Sequence, residues 1–175
     1  MNTARHPAIV YFSEIEDAEP WIYPGHDEPM SRGANYRKHF GFKKIGILFE
    51  RLMPGRRTSF PHAESAEEEF VFVVAGTPDV WLDGHLHRLA PGDAVGFPAG
   101  TGLAHTFINN TEAEVNLIVV GEASKPENRV VYPLNPEQKA RRDDWWDDAP
   151  VRKLGPHDGL PDRVREARKA GRKPE

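Results

Sequence analysis

Two short stretches of this 175-residue chain hold side chains that can grip a metal ion. Residues 55–76 read GRRTSFPHAESAEEEFVFVVAG and carry His62, Glu64 and Glu69, while residues 98–109 read PAGTGLAHTFIN and carry His105. Neutral imidazole and carboxylate suit Zn, Fe, Mn, Ni or Co, provided each donor atom comes to about 2.0–2.2 Å from the ion. His62, Glu64, Glu69 and His105 are the candidate ligands of one divalent transition metal ion, Zn, Fe, Mn or Ni. Glu64 has three open roles: a ligand, a hydrogen-bond partner of a ligand histidine, or the catalytic group that moves a proton. Ligands must be deprotonated, so acid should strip the ion as the histidines protonate, near their usual value of about 6.5 or below.

Other residues of the same types read differently. Glu67 and Glu68 belong to an EEE run whose ordinary reading is a solvated loop. His85 and His87 mimic an H-x-H pair but follow Asp83-Gly84, a dipeptide that tolerates the positive φ of a two-residue hairpin turn, so they fall on a hairpin edge. His157, in GPHDG, is a turn residue or a lid residue.

The elements that must position the ligands are short strands. Runs rich in Val, Ile, Phe and Leu at 45–53, 69–75, 79–82, 94–97, 103–109 and 114–120 are each bounded by Gly, Pro, Asn or Asp. Many strands without long helices between them predict an antiparallel sandwich or barrel. Side chains alternate along a strand, so His62 and Glu64 can join Glu69 on one inner face only if the phase changes between them. Residues 65–68 can supply that change.

The two stretches resemble the paired motifs of the cupin superfamily. Its first motif, G-x5-H-x-H-x3,4-E-x6-G, falls on Gly55, His62, Glu64, Glu69 and Gly76. Here six residues separate Gly55 from His62, and glutamate stands at the usual second histidine. The second motif, G-x5-P-x-G-x2-H-x3-N, falls on Gly92, Pro98, Gly100, His105 and Asn109, with two extra residues before the histidine. The resemblance covers about residues 45–120 and is similar to small single-barrel cupins, sugar-phosphate-isomerase-like or uncharacterised. It implies an all-β fold, the double-stranded β-helix or cupin jelly-roll barrel, and a metal centre on the motif residues.

Around a barrel at 45–132, residues 1–44 read as irregular strands and loops covering it, and 133–175 as a short, partly helical extension. Asn135 and Pro136 can cap and start a helix over 136–146. Trp145 and Trp146 are costly to leave wholly exposed, so at least one ring should pack on the barrel or on a second subunit. The basic end RVREARKAGRKPE reads as a solvated helix end or a frayed tail. The absence of cysteine removes disulfides and thiolate ligands, and the N-terminal residues lack the apolar run of a secretion signal, so the expected setting is cytoplasmic. Nothing approaches the roughly 18–20 apolar residues of a membrane span. A net charge of −4 and the lack of a helix-turn-helix pattern speak against nucleic acid.

The partners expected are a small-molecule ligand and a second copy, paired through the N-terminal region that carries Trp21, Tyr23, Tyr36, Phe40 and Phe42. Two functions compete. One is a metal-dependent isomerase, lyase or dioxygenase acting on a small sugar-like molecule or organic acid. Carboxylate in place of imidazole at Glu64 favours non-redox Lewis-acid chemistry among these. The other is a cupin that binds or senses the same ligand without turning it over.

Overall fold

The computed structural model describes residues 5–173; the first four residues of the N-terminal stretch and the last two of the basic tail lie outside it. Ten strands run in chain order: β1 (Arg32–Asn35), β2 (Ile45–Leu52), β3 (Ala63–Glu64), β4 (Glu69–Ala75), β5 (Asp79–Leu82), β6 (His85–Arg88), β7 (Ala94–Phe97), β8 (His105–Ile108), β9 (Val115–Glu122) and β10 (Val130–Val131). Two short helices, α1 (Tyr36–Phe40) and α2 (Asp162–Lys169), complete the regular structure with 3-10 turns at Phe12–Glu14 and Pro136–Arg141.

The larger sheet has the order β1-β2-β9-β4-β7, and β6-β5-β8 forms a second sheet. Alternation sets which face is inside. In β4, Val71 and Val73 are buried while Phe70, Phe72 and Val74 are exposed, the period of two that a strand imposes. Leu52, Val115, Leu117 and Phe97 from the larger sheet meet Val80 and Phe107 from the smaller one, so the core lies between the two sheets. The class is all-β, as the sequence predicts. The Asp83-Gly84 turn joins β5 to β6 with φ of 44° and 91°, the two positive values a type I′ turn demands. Gly76 (φ 79°) ends β4 where an added Cβ would press within 2.9 Å of the Val115 and Glu114 backbone.

Past β10 the chain departs from expectation. The helix predicted over 136–146 is a 3-10 turn that stops at Arg141, and Asn135 does not cap it; its side-chain amide donates to Glu137 instead. Tertiary pairing wins over local propensity here. Val130 donates to the Asp144 carbonyl (2.9 Å) and Trp146 to the Val130 carbonyl (2.9 Å), which holds 144–146 extended alongside β10. Trp146 is buried with Trp81 and Ile108 on the outer face of the smaller sheet, and Trp145 packs by Tyr132, so both rings pack where at least one was expected to.

The basic end is helical as far as Lys169. α2 buries Val164, and its Arg168 reaches Glu28, which already pairs through both oxygens with buried Arg57 (2.7 and 2.8 Å). Burying one valine is worth about 1.5–3 kcal/mol. Deleting the chain after Pro161 should therefore lower unfolding stability by about 2 kcal/mol in urea titration. An unchanged midpoint would show α2 to be dispensable.

Candidate metal centre

The two motif histidines are brought together by backbone pairing. Residues 57–62 run antiparallel along β8, and His62 and His105 form an isolated bridge in which each N–H donates to the other's carbonyl, at 3.2 and 2.9 Å. Their rings lie 4.9 Å apart. β3 then ends, residues 65–68 turn the phase, and Glu69 enters the inner face at the start of β4. The phase change expected between Glu64 and Glu69 falls where the spacing places it.

Tethers set how each ring points. His62 Nδ1 lies 2.9 Å from the Phe60 carbonyl and His105 Nδ1 3.3 Å from the Leu103 carbonyl, so each Nδ1 donates to backbone and each Nε2 is left to face the interior. His105 Nε2 lies 3.1 Å from Glu69 Oε1, a contact that needs a proton or a cation between the atoms. Phe97 stacks on the other face of the His105 ring at 3.5 Å and fixes it. Withdrawal from water pushes His62 down to about 4, with the nearby His105 adding to it, so this imidazole stays neutral well into acid. The histidine that must give up a proton has therefore done so far below the usual 6.5. For Glu69, burial acts upward, but the hydrogen bond and the charge of His105 outweigh it, and its carboxyl is lowered from the ordinary value.

His62, Glu69 and His105 line one interior cavity of about 120 Å³, together with Glu50, Thr58 and Ser59. Glu64 lines a smaller neighbouring cavity with Glu67, sharing only Glu69 and His105 with the first. Burial, then the charges of Glu67 and Glu69, raise Glu64 to about 7. Glu67 is half-buried and accepts the Lys125 backbone N–H (2.6 Å), which corrects its reading as a solvated residue, whereas Glu68 is exposed. His85 and His87 are exposed on the β6 edge. His157 accepts from the Gly159 N–H (3.1 Å), and its carbonyl receives the Trp81 indole N–H (2.9 Å), a turn role with no part in the cavity.

Sequence reasoning missed Glu50. It lies inside β2 in the run IGILFERL, where no motif marks it. The signal available was parity: Glu50 is two residues from buried Leu52, so a strand must turn both to the same face. Its partner is Ser31, whose hydroxyl donates at 2.9 Å, and burial raises Glu50 to about 7, with the Glu69 charge adding to the rise. By donor type, tethering and shared cavity, His62, Glu69 and His105 fit a divalent transition ion. Among the described residues no three His, Asp or Glu side chains form a ready-made cage, so binding must draw them together.

This pair of facing antiparallel sheets, with histidine and glutamate on the inner strands, defines a small-barrel class whose solved members match the chain. A cupin domain model matches residues 48–121. A sugar phosphate isomerase from a cupin superfamily, from Silicibacter pomeroyi, is 30% identical with a TM-score of 0.60, over 65% of this chain and 74% of that one. The chain belongs to the cupin superfamily. Two more distant structures share the fold. A polyketide cyclase from Streptomyces resistomycificus has 20% identity and a TM-score of 0.58 over 78% and 94% of the two chains. An uncharacterised protein with a double-stranded β-helix domain from Klebsiella pneumoniae has 14% identity and a TM-score of 0.50 over 70% and 96%. No curated protein is significantly similar in sequence.

Proposed function

We propose that the protein is a metal-dependent cupin acting on a small polar, sugar-like molecule by non-redox chemistry of the isomerase or lyase type. One observation carries this reading: two histidines with Nδ1 tied to backbone carbonyls line one cavity with Glu69, and Nε2 of His105 meets the Glu69 carboxylate there. The sugar-like ligand is drawn from the likeness to the Silicibacter isomerase. When bound, the ion would polarise a carbonyl or hydroxyl as a Lewis acid. His62, Glu69 and His105 would hold it, and Glu64 would accept and return a proton. A cytoplasmic setting goes with the cysteine-free sequence.

Elemental analysis of protein purified without chelator tests the metal, with about one transition ion per chain expected. Turnover of small aldoses or ketoses that tracks metal occupancy supports the enzyme. Tight binding without loss of ligand at full occupancy would leave a sensing role instead.

The working form we propose is a homodimer. The outer face of the larger sheet is apolar across adjacent strands: Phe49, Ile118 and Phe72 form one cross-strand row, and Ile47, Val120 and Phe70 the next. Phe70, Phe72 and Val74 are 43%, 36% and 43% exposed; in the N-terminal region Tyr23 is buried on Phe60, while Trp21 and Phe42 are exposed. An uncharged apolar face is its own complement, as a two-fold interface requires. Light scattering should give twice the chain mass, and Phe72→Glu should halve it. A monomeric wild type at micromolar concentration removes the dimer.

No helix among the described residues is long and apolar enough to cross a membrane.

A further inference from the structure

The charges around the candidate site point to the class of ligand it takes. Three cavities touch Glu69: the interior one, the smaller one beside Glu64, and an open one of about 400 Å³ where β4, β7 and β9 end. Their linings contain Glu50, Glu64, Glu67, Glu68, Glu69 and Glu122, and no lysine or arginine. The cations nearby are already paired, Lys125 with the rim carboxylate Glu122, whose charge it offsets. Lys125 is bonded to Glu122 (2.5 Å) and to the Ala66 carbonyl (2.8 Å), and Arg142 makes two 2.7 Å bonds to Asp144 while lying over the Tyr132 ring.

A phosphate ester carries a charge of about −1.5 to −2 and is held elsewhere by arginine, lysine or helix N-termini. None of these lines the cavities. A divalent ion on His62, Glu69 and His105 would carry a net charge of +1 with its one carboxylate, and Glu50 and Glu64 stand ready to cancel it. Size acts in the same direction. At about 30 Å³ per water, 120 Å³ has room for about four waters, or a ligand of similar bulk.

Resting on the metal-site reading above, we propose that the interior cavity takes a small neutral polyol or hydroxycarbonyl compound and turns away phosphate and carboxylate groups. Glu50 is the determinant, because it adds a carboxylate to the cavity without ligating a partner cation. The likeness to a sugar phosphate isomerase therefore does not bring a phosphate subsite with it.

Two ligands with one carbon skeleton, dihydroxyacetone and its phosphate ester, separate the cases. Both are titrated into the Co²⁺-loaded full chain at pH 8, following the visible Co²⁺ bands and the heat of binding. Dihydroxyacetone should perturb the bands and bind at least about tenfold tighter than the ester, and Glu50→Gln should shrink that gap by about tenfold. Tighter binding of the ester, or binding of neither compound, overturns the proposal. Should Co²⁺ fail to bind, the metal reading falls by itself, and the same pair is compared on the metal-free chain by calorimetry. There too the ester must be the weaker ligand.

Discussion

Replacing His105 with alanine should empty the metal site. The variant removes the most enclosed of the three donors, 4% exposed, clamped between Phe97 on one face and Glu69 at Nε2. Loss of a mere hydrogen-bond partner of a ligand typically costs 10–100-fold in affinity, so loss of a ligand should cost at least ~100-fold. Glu69→Ala should do the same. Competition with a chromophoric chelator reads both directly. Because His105 Nε2 lies 3.1 Å from Glu69 Oε1, either change also releases the other group from this contact. His85→Ala and His87→Ala, on the exposed β6 edge, should keep wild-type affinity. Glu64 gives the graded result. It stands in the neighbouring cavity, so Glu64→Gln should weaken the ion by tenfold or less, and Glu64→His, which restores the usual family pattern, should hold or raise affinity. Full occupancy in His105→Ala would remove this residue from the site.

That His62, Glu69 and His105 line one cavity was legible because cupin spacing ties residue type to position, and because a strand's period of two makes face assignment a matter of counting. Both departures from the motif spacing are absorbed without taking His62 or His105 out of that cavity. The extra residue after Gly55 lies in the chain that reaches the 57–62 run, and the two before His105 lie in the loop ahead of β8. Glu50 was not legible as chemistry, since a lone carboxylate in IGILFERL looks like an outward strand residue until Leu52 is known to be inside. The extension failed for a different reason. Pro136 and Asn135 carry a proper helix-start signal, but pairing of 144–146 with β10 is a long-range fact no local window contains. Val164 in RVREARK likewise declares itself only once Glu28 and Arg57 supply an anchor for Arg168.

Glu50→Gln should make the metal-free protein more stable at pH 8 and no more stable at pH 4. In the unfolded chain this carboxyl titrates at its ordinary value of about 4.3, whereas in the folded protein burial pushes it up to about 7. A raised carboxyl favours folding fully below the unfolded value, and that advantage is lost as pH climbs through the folded one. Between about 4.3 and 7 the unfolded state sheds a proton that the folded state keeps, and each unit costs about 1.4 kcal/mol. By pH 8 the penalty reaches about 3 kcal/mol at most, because Glu50 keeps part of its surface on the cavity. Glutamine preserves shape and still accepts from the Ser31 hydroxyl, so it removes the charge and little else. Urea titrations of wild type and variant, both with chelator present, should diverge as pH rises. Curves that stay parallel would mean that Glu50 is hydrated and ordinary. A divergence of this size would mean that the chain carries, in the middle of β2, a carboxylate that costs it stability at neutral pH, which is what a group kept for ligand chemistry rather than for folding looks like.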